Sequence, residues 1–187
     1  MNTDRHDTTW RRFRDGDISA LESIYRCHVE SLVSYGLKIC DDAAIVNDCI
    51  HDLFLDLWKY RSNLADTDDP RFYLFRALRN KLLKALSQRS FVSISEMQLA
   101  SGDLPVTHIE LDILAREEEA HNRDTLKKLM DKLPRRQQEV ISLRFYSNFS
   151  YETIAGIMDM NYQSVLNLLH RALKTLRSKY TSHHTRP

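Results

Sequence analysis

Three groups of side chains in this chain of 187 residues have types and spacings that suit binding chemistry. The first is Asp48, His51, Asp52, Leu55, Asp56 and Lys59, which fall together on the polar side of a helical repeat. Leu55 stands among acids there; a single exposed Leu usually needs no explanation, but one amid acidic groups can equally be the centre of a partner-binding face. The second group interleaves Arg71, Arg76, Arg79, Lys81 and Lys84 with Phe72, Tyr73 and Phe75. Aromatic faces can stack on unpaired bases while cations hold phosphates; equally, the rings can be core and the cations solvated. The third is Gln163, Asn167, His170, Arg171 and Lys174, side chains able to reach base edges and phosphates in a major groove. Covalent chemistry is not indicated. Cys49 and His51 are two apart, so on a helix they point about 200° from one another. No nucleophile–base pair, metal-ligand spacing or Gly-rich phosphate loop occurs, so neither a cofactor nor a metal is expected. His183 and His184 lie in a polar tail that reads as unstructured.

Composition says what must position these groups. Glycine and proline number four each, so helix punctuation is rare and an all-α protein is expected. The hydrophobic fraction of 42% supports packed cores, and no apolar run approaches a membrane span. The polar start, Met1 to Arg14, does not read as a signal peptide, so a cytoplasmic location is expected, without membrane insertion. Cys27, Cys40 and Cys49 are odd in number and lack a C-x-x-C pair, which favours buried thiols over disulfides or zinc. The near-zero net charge of +1 conceals an asymmetry. Residues 1–90 are balanced, residues 91–119 carry one Arg and seven acids, and residues 120–187 carry 12 basic and five acidic residues. A basic C-terminal end points to nucleic acid.

Periodicity divides the chain into two small helical domains. A first block, about Thr9 to Cys40, is interrupted at Asp15-Gly16-Asp17 and then repeats Ile18, Leu21, Ile24, Tyr25, Val29, Leu32 and Val33. A second places Ile45, Val46, Cys49, Ile50, Leu53, Phe54, Leu57 and Trp58 on one stripe, with Asp41 or Asp42 as N-cap. After a polar loop, Pro70 opens a third helix expected over about Arg71 to Gln88. Ser90 to Thr107 reads as a linker, giving a first domain at 9–89, a linker at 90–108 and a second domain at 109–181. Helical signal resumes at Ile109, with Glu117, Glu118 and Glu119 as a solvated face. Past Pro134 a helix is expected with Val140, Ile141, Leu143 and Phe145 inward. Ser150 caps the next, with Ile154, Ala155 and Met158 inward, and Asp159-Met160-Asn161 turns into the last, with Val165, Leu168, Leu169, Ala172 and Leu176 inward. Two helices joined by so short a turn form a helix-turn-helix. Gly156 lies inside the first of them, at up to about 1 kcal/mol relative to Ala.

Three motifs then resemble one family. Leu133-Pro134-x-x-Gln137-x-x-Val140, followed by Ser164-Val165, His170-Arg171-Ala172-Leu173 and Leu176-Arg177, is similar to the C-terminal domain of extracytoplasmic-function (ECF) sigma factors. Asp48-x-x-His51-Asp52-x-Phe54-Leu55-x-Leu57-Trp58 resembles their polymerase-binding helix. Pro70-Arg71-Phe72-Tyr73-Leu74-Phe75-x-Ala77-x-Arg79-Asn80 resembles the segment that opens and reads the promoter −10 element. The resemblance implies a sigma factor without enzyme activity. It would bind core RNA polymerase through Asp48, His51, Asp52, Leu55 and Asp56, on the clamp helices of the largest subunit. It would hold single-stranded −10 DNA through Arg71, Tyr73, Arg76, Arg79, Asn80 and Lys84. It would read the −35 duplex through Tyr162, Gln163, Ser164, Asn167, His170, Arg171 and Lys174, and it would answer to an anti-sigma factor. The chain departs from the family pattern where His51 replaces Gln, Asp159 replaces a turn Gly, Leu166 replaces a basic residue, and the −10 helix lacks a Trp. A two-domain regulator that used residues 10–89 for dimerisation or ligand sensing would need neither the Leu-centred acidic face nor the basic aromatic helix beside it.

Overall fold

In the computed structural model, the backbone is described for residues 4–67, 69–92, 126 and 128–184, and side chains for most of 9–88 and 126–180. Every regular element among the described residues is helical, as the composition led us to expect. The order is α1 (Asp4–Arg14), α2 (Ile18–Ile39), α3 (Ala43–Tyr60), a 3₁₀ turn (Arg61–Asn63), α4 (Pro70–Val92), a helical turn at 128–131, α5 (Arg135–Ile141), a wider π-type turn (Ser142–Tyr146), α6 (Tyr151–Met158) and α7 (Tyr162–His184). α1 to α4 form the N-terminal unit; α5 to α7 form the C-terminal one. The linker read from the sequence begins later than expected, because α4 continues through Ser90 to Val92. The remainder of that linker, the helical signal from Ile109 and Glu117 to Glu119 lie outside the described residues. α7 runs on to His184, so the end that composition leaves unstructured is helical.

The helix starts are set by short polar side chains that take up otherwise unpaired backbone N–H groups. Asp17 accepts from the Ser19 N–H at 2.9 Å to open α2, and Arg12 reaches back to the same carboxylate at 2.6 Å. Hydrogen bonds from Ser19 and Arg12 hold the Asp17 carboxyl down at about 2. Asp42, not Asp41, caps α3, accepting from Ala44 N–H at 3.0 Å and Ile45 N–H at 3.3 Å. Asp69 accepts from Arg71 N–H at 3.0 Å around Pro70 at the first turn of α4. Ser150 and Asn161 cap α6 and α7 by accepting from Thr153 N–H at 3.1 Å and Ser164 N–H at 2.7 Å. Asp159 ends α6 in the left-handed conformation at φ 52°, which Asp tolerates better than most residues. An Asp42→Ala variant should lose about 1 kcal/mol of stability; thermal unfolding that leaves the midpoint unchanged would show that the α3 start is held by packing alone.

The core runs continuously through both units. The α3 stripe from Ile45 to Leu57 is buried as its spacing demands, with Trp58 half-buried at its edge. Gly36 of α2 lies where a Cβ would come within 2.6 Å of Val46 Cγ1, so α2 and α3 cross too closely for any side chain. In the C-terminal unit Val140, Ile141, Leu143, Ile154, Met158, Val165, Leu169, Ala172 and Leu176 are buried, while Ala155 and Leu168 are half-buried.

Three expectations need correction. Phe145 is 58% exposed rather than inward, because the π-type turn over Ser142–Tyr146 inserts an extra residue into the helical repeat and rotates it outward. Ile18 and Tyr25 of the α2 repeat are exposed, since among the described residues no helix packs over that face. Cys40 and Cys49 are buried, but Cys27 is exposed.

Candidate functional site

α3 presents one face to the core and the other outward. Asp48, His51, Asp52, Leu55 and Asp56 are all exposed, and Leu55 is exposed by 55%. The seven buried apolar residues of the opposite stripe determine this orientation, because a helix cannot turn without unburying them. Leu55 is not an isolated anchor. With Ile18, Leu21, Glu22, Tyr25, His51, Phe54 and Trp58 it lines an apolar groove of about 410 Å³ between α2 and α3. The α2 side of this groove is what spacing alone missed. Ile18 and Tyr25 belong to the α2 repeat, and the signal that sets them apart is that the repeat is wider than one packed neighbour can cover. Asp56 is already engaged, accepting from Lys81 Nζ at 2.5 Å. This exposed pair ties the acidic face of α3 to the basic face of α4, so the two surfaces adjoin.

α4 divides its sequence-predicted residues between two environments. Tyr73, Arg76, Asn80 and Lys84 are exposed. Tyr73 stands 6.2 Å from the Trp10 ring, centroid to centroid, and Arg76 lies 5.9 Å over the Phe72 ring. Burial of the Tyr73 ring and the nearby Asp56 carboxylate both raise its hydroxyl pKa. Arg71 and Arg79 face the other way, toward the C-terminal unit. The Arg71 guanidinium lies 4.6 Å over the Phe149 ring and donates to the Ser147 carbonyl. Arg79 is buried, donating through Nε to Glu139 Oε1 at 2.7 Å, with side-chain exposures of 9% and 6%. The same carboxylate oxygen accepts from the Tyr35 hydroxyl at 2.8 Å. Burial first, and the Glu139 charge second, push the Tyr35 hydroxyl well above its ordinary range, so it remains a donor. An ion pair this buried is held only because a second hydrogen bond satisfies the carboxylate. The second group of the sequence thus resolves into both its readings: Phe75 is core, Tyr73 is surface, and one cation is internal.

Around this triad the two units interlock. The Phe75 ring lies 5.0 Å from Tyr35 on one side and 5.1 Å from Phe149 on the other. Phe72 reaches α6 at Gly156, where a Cβ would approach its ring to 2.8 Å. The glycine that looked like a helix defect is therefore where α4 closes on α6. At the rim Arg135 pairs with Asp41, and this hydrogen-bonded guanidinium lowers the Asp41 carboxyl below its ordinary value.

α7 carries the third group. Tyr162, Gln163, Asn167, His170, Arg171 and Lys174 are exposed, and Ser164 is half-buried because its N–H is tied to the Asn161 cap. Val165, Leu169, Ala172 and Leu176 point the other way into the core. Gln163 and Asn167 are 3.4 Å apart along the outward face. With α6 and its left-handed turn, α7 makes a helix-turn-helix whose second helix offers an exposed polar and basic face.

Among the described residues no group of His, Cys, Asp and Glu has metal-site geometry, and no helix is long and apolar enough to cross a membrane. The arrangement is that of a binding protein with three surfaces: an apolar groove with acids around it, a basic and aromatic helix, and a helix-turn-helix.

Known proteins share this organisation. Residues 24–92 match the family model for sigma-70 region 2, and residues 123–176 match that for sigma-70 region 4. The chain is similar to the RNA polymerase sigma factor SigV of Bacillus subtilis, 38% identical over 72 residues, which is 38% of this chain and 43% of that protein. It is also similar to the ECF RNA polymerase sigma factor SigL of Mycobacterium tuberculosis, 24% identical over 162 residues, covering 86% of this chain and 89% of that one. The fold resembles that of the sigma factor RpoE of Bartonella quintana, solved with the anti-sigma factor NepR, at a TM-score of 0.67 and 20% identity over 86% of this chain and 96% of that one. It resembles CnrH, solved with the cytosolic domain of CnrY, at a TM-score of 0.63 and 19% identity over 94% and 97%. Regions 2 and 4 coincide with the two helical units, and the chain belongs to the sigma-70 family of RNA polymerase sigma factors, in its ECF group.

Proposed function

We propose that this chain docks on core RNA polymerase through α3, holds the melted −10 strand on α4 and reads the −35 duplex with α7. The observation that carries the reading is the exposed Leu55, set in an apolar groove and surrounded by Asp48, Asp52 and Asp56. DNA binding alone gives no use for such a surface, whereas a basic protein partner such as the polymerase clamp helices complements its acids and buries its apolar centre. His51 lies at its edge and lines the same groove. On α4, Tyr73 supplies a stacking face, with Arg76, Asn80 and Lys84 around it for the backbone and base edges, whereas Arg71 and Arg79 are engaged with the C-terminal unit. On α7, Gln163, Asn167, His170, Arg171 and Lys174 address the major groove, with Tyr162 and Ser164 at the helix start near phosphate. The chain acts in the cytoplasm as a specificity subunit and performs no catalysis of its own. An anti-sigma factor is the expected regulator, a reading supported by the solved complex of RpoE with NepR.

Run-off transcription with purified core polymerase and a pool of genomic promoter fragments tests the whole reading. Discrete transcripts that depend on this chain are expected; their absence, together with no association with core polymerase, would overturn it. Arg171→Ala is expected to weaken protection of the upstream element by about 1–3 kcal/mol, and an unchanged footprint there would remove α7 from the −35 contact.

A further inference from the structure

We infer that α1 is a brace for the strand-holding surface of α4, with Trp10, Arg11, Arg14 and Asp66 as positioning residues that do not themselves touch the strand. The inference rests on the proposed role of α4. α1 lies ahead of residue 24, where the match to sigma-70 region 2 begins, so it is not part of the matched segment. Its C-terminal end nevertheless converges on one point of the loop that leads into α4. Trp10 donates from Nε1 to the Ala65 carbonyl at 3.2 Å. At the next loop residue, Arg11 Nε lies 3.4 Å from Asp66 Oδ2 and Arg14 Nη1 lies 3.4 Å from Asp66 Oδ1, one cation to each carboxylate oxygen. Arg14 follows Arg11 by three residues and Trp10 by four, so one face of α1 supplies all three contacts.

The loop has little else to hold its shape. Ser62, Asn63, Ala65, Asp66 and Asp69 are exposed and Leu64 is only half-buried, so few apolar contacts oppose local motion. Arg61 fixes its start, with the guanidinium 4.3 Å over the Trp58 ring, and Asp69 fixes its end on the Arg71 N–H. α1 fixes the middle. The Trp10 ring is buried and lies 6.2 Å from that of Tyr73, the partly exposed ring that supplies the stacking face. Loop and stacking ring are thus set by one buried side chain. Exposed ion pairs contribute little to stability. Two of them on one carboxylate instead remove freedom from the loop before a strand arrives, and a surface ordered in advance loses less on binding.

The charge of Asp66 separates this role from direct contact. By charge alone, removing an acid beside a polyanion tightens binding; loosening a brace weakens it. Holoenzyme assembled from core polymerase and the full chain is titrated with a short non-template strand covering the −10 element of a promoter found by run-off transcription. If the loosened loop keeps the strand-competent shape about one-tenth of the time, Asp66→Ala weakens strand binding about tenfold. Asp66→Glu keeps the carboxylate and should bind as wild type does. Arg11→Ala with Arg14→Ala should weaken binding as much as Asp66→Ala, and adding Asp66→Ala should weaken it no further, since all three act through one contact. Association with core polymerase and the thermal midpoint should stay at wild-type values. Unchanged or tighter strand binding by Asp66→Ala overturns the inference. So does a salt slope lowered by about 0.7 for each arginine removed, which would mean that the arginines hold phosphates directly. A loss of strand binding matched by an equal loss of core association also overturns it, because the damage is then to the fold. A wild-type holoenzyme that takes up no strand sinks instead the role of α4 on which the inference rests.

Discussion

Asp52→Arg is expected to lose association with core RNA polymerase by about a hundredfold while unfolding at the wild-type temperature. Asp52 is exposed at the middle of α3, one turn before Asp56 and one turn after Asp48. Its side chain contributes nothing to the buried stripe, which Ile50, Leu53 and Phe54 maintain on either side. Reversing its charge places a cation against the basic surface that the acidic rim is proposed to meet. Like charges facing one another across an interface cost several kcal/mol, and a loss of about 3 kcal/mol corresponds to about two decades in affinity. The effect should shrink as salt rises, since the rim is solvent-exposed and screened. Leu55→Ala gives the complementary result: it removes the anchor and should weaken association by a salt-independent amount. Undiminished association of Asp52→Arg with core polymerase, measured by fluorescence anisotropy, would remove α3 from the docking surface. Leu55→Ala would then show whether the groove binds through its apolar part alone.

Trp10→Ala should be among the most destabilising single changes in the N-terminal unit. Trp10 is fully buried, lies 5.2 Å from the Phe13 ring and donates from Nε1 to the Ala65 carbonyl at 3.2 Å. It thus joins α1 to the loop that leads into α4, and its ring is also the neighbour of Tyr73. Removing a buried indole leaves a cavity that backbone relaxation fills only in part, at about 3–5 kcal/mol. For a chain of this size that lowers the unfolding midpoint by about 10 °C. Trp10→Phe separates the two contributions: it keeps most of the packing and loses the hydrogen bond, at about 1 kcal/mol. A Trp10→Ala midpoint within about 2 °C of wild type would mean that α1 is not part of the cooperative unit.

Much of the molecule was legible in its sequence because the relevant forces are local. The apolar stripe from Ile45 to Leu57 can be buried only by a helix in one orientation, so the outward placement of Asp48, Asp52 and Leu55 followed from spacing. The caps at Asp42, Ser150 and Asn161 and the left-handed turn at Asp159 follow from short-range hydrogen bonding and backbone sterics. The outward set on α7 followed in the same way. Phe145 was misplaced because periodicity assumes an unbroken 3.6-residue repeat, and the π-type turn adds a residue with no composition signal of its own. Ile18 and Tyr25 belong to the α2 repeat yet are exposed, because a repeat reports which residues share a face, not whether a neighbour exists to cover it.

By itself, then, the sequence determined an all-helical chain with an acidic Leu-centred helix, a basic aromatic helix and a helix-turn-helix. Each is a property of residues close together along the chain. The tertiary structure alone decided how those helices meet. Nothing in the spacing of Tyr35, Arg79 and Glu139 announces a buried triad, because the partners are 60 and 104 residues apart and each looks like an ordinary surface or core residue in its own helix. Nor does a glycine inside α6 announce Phe72. Pairing across such distances depends on which faces remain uncovered once the helices have formed, and that is settled by packing between the two units rather than by any local preference.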